Sequence, residues 1–324
     1  MTGRVMVTGA TTPIGRRLVE RLLADPGTTL VLAVGAEPDP LPLAVRDPER
    51  YRYRQVDLTR PRELHDLLFS DGRQLRIETV VHNALHRRAH DEGPRIHALN
   101  VECTRDLLSL AERHPTVGRF VFRSASAVYR LDPRGSTLLS EDDPLELSPS
   151  APQKVRDRVE ADLTVCTRMG MSPLQIVVLR CAEILAADVG SQLWDYLGSK
   201  VCLRPTGFDP MLNLLSLEDA ARALQLAVRG PERGVFNVPG RDVLPLSRAI
   251  ELWGRVEIPL PGPLLAPLYR LRARAIGSDF RYDLNFRRFH FSAVLDGRRA
   301  QRELGYEPLH RIVWPYSQSS GSHS

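Results

Sequence analysis

The stretch VMVTGATTPIGRRLVERL, residues 5–22, decides how the rest of the chain is read. A short apolar strand pattern runs into Gly9, and a helical pattern begins around Gly15 and continues through Arg16–Ala24. A glycine at each of these points permits a tight turn and a close approach of backbone N–H groups to an anion, and the helix N-terminus adds a partial positive charge. A strand, a glycine loop and a helix in this order point to a dinucleotide diphosphate site, although the same glycines would also serve a plain strand–helix turn.

Working outward, the strand–helix alternation repeats. The apolar runs TLVLAVG, TVVHNA, RFVFRSAS and LQIVVLR alternate with helical patterns near Arg62–Phe69, Asn100–Arg113 and Gln153–Met169. Val- and Leu-rich strands that are each followed by an amphipathic helix predict a parallel sheet covered on both faces, a doubly wound α/β fold. After Arg180 the alternation loosens and prolines become dense, as in EIPLPGPLLAPLYRLRARAIG, which reads as a smaller lobe behind the sheet domain. A helix through Leu214–Arg229 and the strand GVFNVPG return to the sheet. The expected organisation is therefore a sheet domain over 1–180, rejoined by about 206–238. The lobe then comprises 181–205 and 239–314, and 315–324 form a disordered polar tail.

Composition narrows the function classes. The 324 residues are 43% hydrophobic, enough for a sizeable core. The net charge of +5 comes almost wholly from arginines scattered among acids, not from a basic arm, so no nucleic-acid partner is expected. Cys103, Cys166, Cys181 and Cys202 form no CxxC pair and read as reduced thiols, neither a disulfide framework nor a zinc site. The opening residues carry no secretory pattern and no apolar run reaches membrane-spanning length, so a cytoplasmic location is expected.

Several segments, in order over about 300 residues, resemble the extended short-chain dehydrogenase/reductases, the NAD-dependent epimerase/dehydratase family. Thr8, Gly9 and Gly15 match the loop TGxxGxxG, while Thr12 stands at its middle glycine, where a β-branched residue narrows the room for a diphosphate. Asp57-Leu58 resemble the pair that faces the adenine, and VVHNAL places Ala84 beside the cofactor. Asn100, Val101 and Thr104 match the NVxGTxNLL helix, and Ser124 to Tyr129 resemble SSSxxVYG. LSLEDAARA, GVFNVPG and RRELGYEP follow in family order. The resemblance implies a Rossmann-type domain with a C-terminal substrate lobe, NAD or NADP as cofactor, and a homodimer. Its cofactor contacts would be Thr8, Gly9, Thr12, Ile14, Gly15, Asp57, Leu58, Ala84 and Lys154. The acid that would close the second strand and favour NAD is displaced to Glu37, which reads either as a ribose ligand or as a solvated loop acid.

In that family a Tyr-x-x-x-Lys pair on one helix face works with an earlier Ser or Thr. The ammonium lowers a phenol pKa of about 10 toward neutrality, and the phenolate exchanges the substrate proton. Counting back from Lys154 in SPSAPQK, the tyrosine position is Ser150, and the Ser/Thr position falls on Ala125. A serine hydroxyl is far too weak an acid to replace a phenol. Lys154 and Lys200 are the only lysines in the chain, which marks Lys154 as the residue that would hold the nicotinamide ribose. Ser124, Ser126 and Tyr129 are the candidate hydroxyls nearby, and His86 or His90 a candidate base. His82, His86 and His90 recur every fourth residue, but His82 lies in a strand, so no metal site is expected.

Two functions fit this pattern. One is an oxidoreductase or epimerase on a secondary alcohol or ketone, a nucleotide sugar or a hydrophobic alcohol, with a non-standard proton relay. The other is a silent dinucleotide-binding redox sensor or scaffold. In the lobe, Arg270, Arg272, Arg274, Arg287 and Arg288 lie among apolar residues. They fit a ligand diphosphate, a peripheral contact with anionic lipid or a membrane enzyme, or arginines snorkelling from a packed lobe.

Overall fold

The computed structural model describes residues 3–42 and 47–315; the expected polar tail therefore lies, from residue 316 on, outside the described residues. Seven strands form the main sheet: β1 (Arg4–Thr8), β2 (Leu30–Gly35), β3 (Tyr51–Gln55), β4 (Thr79–His82), β5 (Arg119–Ala125), β6 (Gln175–Cys181) and β7 (Gly234–Val238). Their spatial order is β7-β6-β5-β4-β1-β2-β3, and every neighbouring pair is parallel. The order reverses between β1 and β4, where a doubly wound sheet opens a crevice at its carboxyl edge.

The strands are apolar without alternation because both faces are covered, yet the residues still sort by face. Val5, Val7, Val81, Val121, Val177 and Leu179 pack to one side, while Met6, Val80, Phe120, Phe122, Ile176 and Val178 pack to the other. The first side is covered by α1 (Pro13–Leu23) and the second by α2 (Cys103–Arg113) and α3 (Gln153–Cys166). Helix α1 presents Ile14, Leu18, Val19 and Leu22, one helical stripe, to the sheet and to α4 (Leu217–Arg229). Each such buried side chain contributes about 1.5–3 kcal/mol of transfer free energy.

The helix expected over Leu214–Arg229 starts later. Met211–Leu215 instead form a strand between Asp242–Pro245 and Glu183–Ile184 in a small sheet of the lobe, and Ser216 caps α4 by accepting from the Asp219 N–H at 3.0 Å. The return to the main sheet thus begins with α4 and ends with β7. The lobe has its own core, in which Tyr196 packs edge-on to Phe289 and Tyr269 to Phe280, with centroids 4.9 and 4.8 Å apart. Helix α5 (Gly262–Ile276) closes this core with Leu265 and Tyr269 and leaves Leu264, Leu268 and Leu271 exposed.

Candidate functional site

The glycine loop is built by contact. Gly9 has φ +67°, and a Cβ there would lie 2.9 Å from the backbone of Asn83 and Ala84; on Gly15 it would lie 2.1 Å from the Gly9 carbonyl oxygen. Both positions therefore exclude any side chain. Thr12 is the N-cap of α1, with Pro13 at the first helical position. Its hydroxyl donates to the Gly9 carbonyl at 2.8 Å and accepts from the Gly15 N–H at 3.1 Å and from Asn83 Nδ2 at 3.0 Å. The effect of Thr12 is thus different from the narrowing expected of it: the side chain turns inward and consumes a donor. Pro13 has no N–H and the Arg16 N–H bonds the Thr12 carbonyl at 2.8 Å. The first turn is left with the Ile14 N–H for an anion. The Ile14 side chain is in the core, so this residue can meet a cofactor only through its backbone. Thr8 is also buried; its hydroxyl bonds His82 Nδ1 at 2.8 Å and accepts from the Asn83 N–H at 3.3 Å, supporting the turn from beneath.

From this loop a cleft of about 1000 Å³ runs along the carboxyl edge of the sheet, lined by Gly9, Thr12, Glu37, Asp57, Leu58 and Ala84 on the sheet side and by Asp188, Asp195 and Asp279 on the lobe side. The Asp57 carboxylate accepts from the Thr59 hydroxyl at 2.7 Å and the Thr59 N–H at 3.1 Å, and these bonds hold its pKa below the ordinary value. Glu37 accepts from the Thr11 hydroxyl and faces the Arg87 guanidinium at 3.4 Å. Arg87 then crosses the cleft, because its Nη1 also donates to the Asp188 carbonyl at 2.9 Å.

Beyond the cleft, on the wall of a second cavity, stands Lys154, in the first turn of α3. It is 7% exposed, and Nζ donates to the Arg87 carbonyl at 2.7 Å. Burial, and then the charge of Arg158, push its pKa down to about 7, against the opposing pull of Asp279, Glu183 and Asp195. Ser150, at the tyrosine position, is exposed and bonds the Ser148 hydroxyl at 2.8 Å. Ser126 lines a second cavity beyond Lys154, and so does Ser150.

Two of the candidate hydroxyls are committed elsewhere. Arg180 and Asp162 form a buried ion pair at 2.7 Å, 5% and 0% exposed. Ser124 donates to the Asp162 carboxylate at 2.5 Å, while the Tyr129 hydroxyl accepts from Arg180 at 3.2 Å and donates to Asn237 at 2.7 Å. Burial pushes the Tyr129 phenol up to about 12 even though Arg180 opposes it. Ser124 and Tyr129 are thus members of a buried hydrogen-bond network, and Tyr129 also borders the cavity that Lys154 lines. The histidines stay apart. His82 lies in the sheet between Thr8 and Thr104, with burial pushing its pKa down to about 3; His86 bonds Asp91 at 2.9 Å and His90 the Ser278 carbonyl at 3.1 Å.

The five lobe arginines divide by place. Arg270 and Arg274 are exposed on α5, and Arg272 donates to the Val201 carbonyl at 2.6 Å. Arg287 and Arg288 line the second cavity, of about 250 Å³, and pair with Glu146 at 3.4 Å and Glu183 at 2.8 Å. Sequence reasoning missed Arg87 and Arg158. Nothing marks Arg87 in a loop rich in arginine, whereas Arg158 was legible, since it stands four residues after Lys154 on the same helix face.

A parallel sheet in this order, with a glycine loop after β1 and a cleft along its carboxyl edge, defines a Rossmann-type α/β protein carrying a C-terminal lobe. The chain belongs to the NAD dependent epimerase/dehydratase family, whose model matches residues 5–192. It is 28% identical over 307 residues to the uncharacterized proteins Mb0513 of Mycobacterium bovis and Rv0501 of Mycobacterium tuberculosis, a match that covers 94% of this chain and 80% of theirs. Among solved structures it is similar to dTDP-glucose 4,6-dehydratase of Bacillus anthracis in complex with NAD (TM-score 0.69, 16% identity, 97% of this chain and 94% of that one). It is also similar to UDP-glucose 4-epimerase of Thermotoga maritima with UDP-glucose (TM-score 0.69, 16% identity, 98% and 99%). A third is Pal of Bacillus thuringiensis (TM-score 0.72, 16% identity, 98% and 99%). No helix among the described residues is long and apolar enough to cross a membrane.

Proposed function

We propose that the protein binds a nicotinamide dinucleotide in the long cleft and serves as an oxidoreductase or epimerase on a secondary alcohol or ketone, with Lys154 in place of the missing phenol as the group that exchanges the proton. The observation that carries this reading is the position of Lys154. It lines the second cavity, and it bonds the carbonyl of Arg87, which lines the cleft. The cleft suits the cofactor chemically. The Ile14 N–H is the donor that the first turn leaves for a diphosphate, Glu37 on the cleft wall would offer a carboxylate to ribose hydroxyls and favour NAD over NADP, and Asp57-Leu58 would flank the adenine end. When bound, the dinucleotide supplies hydride acceptance and donation. The chain supplies orientation, a water-poor wall and a buried amine whose two protonation states are nearly equal at neutral pH.

The relatives of known structure support a substrate with a sugar-like secondary alcohol, since their ligands include UDP-glucose. The test is absorbance at 340 nm as UDP-glucose, UDP-glucuronic acid and simple secondary alcohols are added to the chain with NAD. A rate that rises with pH through a midpoint near 7 and is lost in Lys154→Met is the expected result; a full rate in Lys154→Met would contradict the assignment. A second reading, a silent dinucleotide-binding sensor, draws on the commitment of Ser124 and Tyr129 to the Arg180–Asp162 pair. Dinucleotide binding with no turnover of any of these compounds would favour it.

A further inference from the structure

One cation in the second cavity has no partner among the described residues. Arg158, one turn after Lys154 on α3, is partly buried and lines this cavity with Lys154, Arg287 and Arg288. Among the described residues it makes neither a hydrogen bond nor an ion pair. The acids around it are already engaged. Glu183 accepts from Arg288 at 2.8 Å, the Ser191 hydroxyl at 2.7 Å and the Leu193 N–H at 3.2 Å; Glu146 accepts from Arg287 and the Ser148 N–H; Asp283 is paired with Arg281 at 2.6 Å. Among the described residues the Lys154 ammonium has a carbonyl oxygen and no carboxylate in contact. The cavity therefore holds an uncompensated positive charge beside the wall of Ser126 and Ser150, where the family's proton donor would stand.

A partly buried guanidinium that has no acceptor and stands beside other cations is unfavourable. Burial, with Arg288 adding like charge, lowers the Arg158 pKa despite Glu183. Chains retain such a cost where a ligand removes it. We propose that Arg158 is the anchor for an oxyanion on the ligand, a carboxylate or a phosphoryl group, which its planar fork receives through two parallel N–H···O bonds. The proposal rests on the reading of this cavity as the substrate side, and it names the substrate class as anionic within the cavity itself. Arg287 and Arg288, each held by a glutamate, supply the surrounding positive potential.

The test uses probes that need no nucleotide. The full chain, first saturated with NAD, is titrated at constant ionic strength with D-glucuronate, with D-glucose as its neutral counterpart, and with inorganic phosphate. The expected result is saturable binding of glucuronate or phosphate but not glucose, weakened about tenfold or more in Arg158→Met and less in Arg158→Lys. Which of the two anions binds separates a carboxylate ligand from a phosphorylated one. Arg158→Met without ligand is expected to melt at a higher temperature than the parent, because an unpaired cation has been removed; a lower melting temperature would show a structural partner and overturn the proposal. So would unchanged anion affinity in Arg158→Met, or no saturable binding of either anion. Failure of NAD to bind, with Arg158-dependent anion binding intact, would count against the dinucleotide reading and leave this one standing.

Discussion

At the scale of single residues, the site turns on a lysine that lost its phenol and on two hydroxyls that found other work. Lys154 is charged in the unfolded chain below about 10.4, but in the fold its pKa falls to about 7. A lowered lysine pKa means that the folded state binds fewer protons between these values, so stability rises with pH from near 7 toward 10.5 and the penalty is fully present below 7. Lys154→Met should therefore raise the melting temperature of the dinucleotide-free chain most at or below pH 7, with the gain vanishing toward pH 10.5; a pH-independent change would contradict burial of a titrating amine. The Arg180–Asp162 pair makes the opposite prediction. Asp162→Ala leaves Arg180 charged and buried, removes the acceptor of Ser124, and should cost about 3–5 kcal/mol in urea denaturation. The loss of Ser and Tyr from the reading frame of the relay was legible in the sequence. The commitment of Ser124 and Tyr129 was not, because Asp162, Arg180 and Asn237 meet them from α3, β6 and β7, across sequence separations no local pattern records.

At the scale of elements, the strand–loop–helix unit over residues 4–23 shows how one substitution redistributes backbone donors. Thr12 caps α1 at the expense of the Gly15 N–H. Thr12→Gly should lose only a few tenths of a kcal/mol of stability while returning that donor to an anion, strengthening NAD binding roughly tenfold; Thr12→Ser, which keeps the cap, should leave affinity unchanged. Gly15→Ala places a methyl group on the Gly9 carbonyl and should cost about 1–3 kcal/mol. Calorimetric titration and thermal melting read both effects. The elements that sequence patterning located most cleanly were those buried on both sides, β1, β2 and β4 to β6, where apolar runs are unbroken. Strand β3, YRYRQ, escaped because it is the edge of the sheet and carries Arg52 and Arg54 to solvent, a composition that guards an edge against further pairing. Leu214 and Leu215 read as the start of α4 because two leucines beside Leu217 suit either period until the Ser216 cap fixes the boundary.

At the scale of the molecule, the cleft and the second cavity adjoin at Gly190, which lines both, and Lys154 on the cavity bonds Arg87 on the cleft. Arg87 ties Glu37 on the sheet side to the Asp188 carbonyl on the lobe side, so a ribose that engages Glu37 must displace an arginine. Arg87→Ala should therefore loosen this crossing and quicken dinucleotide association in stopped-flow binding, with little change in melting temperature, since the pair is about half exposed. The fold class was readable from alternation alone, but the depth of the cleft, the crossing by Arg87 and the unpaired Arg158 exist only once the lobe is folded against the sheet. The central claim is that this cleft holds a nicotinamide dinucleotide with its ribose end toward Lys154. Calorimetric titration of the cofactor-free chain with NAD tests it most directly. One saturable site per chain, lost in Gly15→Ala and weakened in Lys154→Met, is the predicted result; no saturable heat with NAD or NADP, or affinity indifferent to both substitutions, would contradict it.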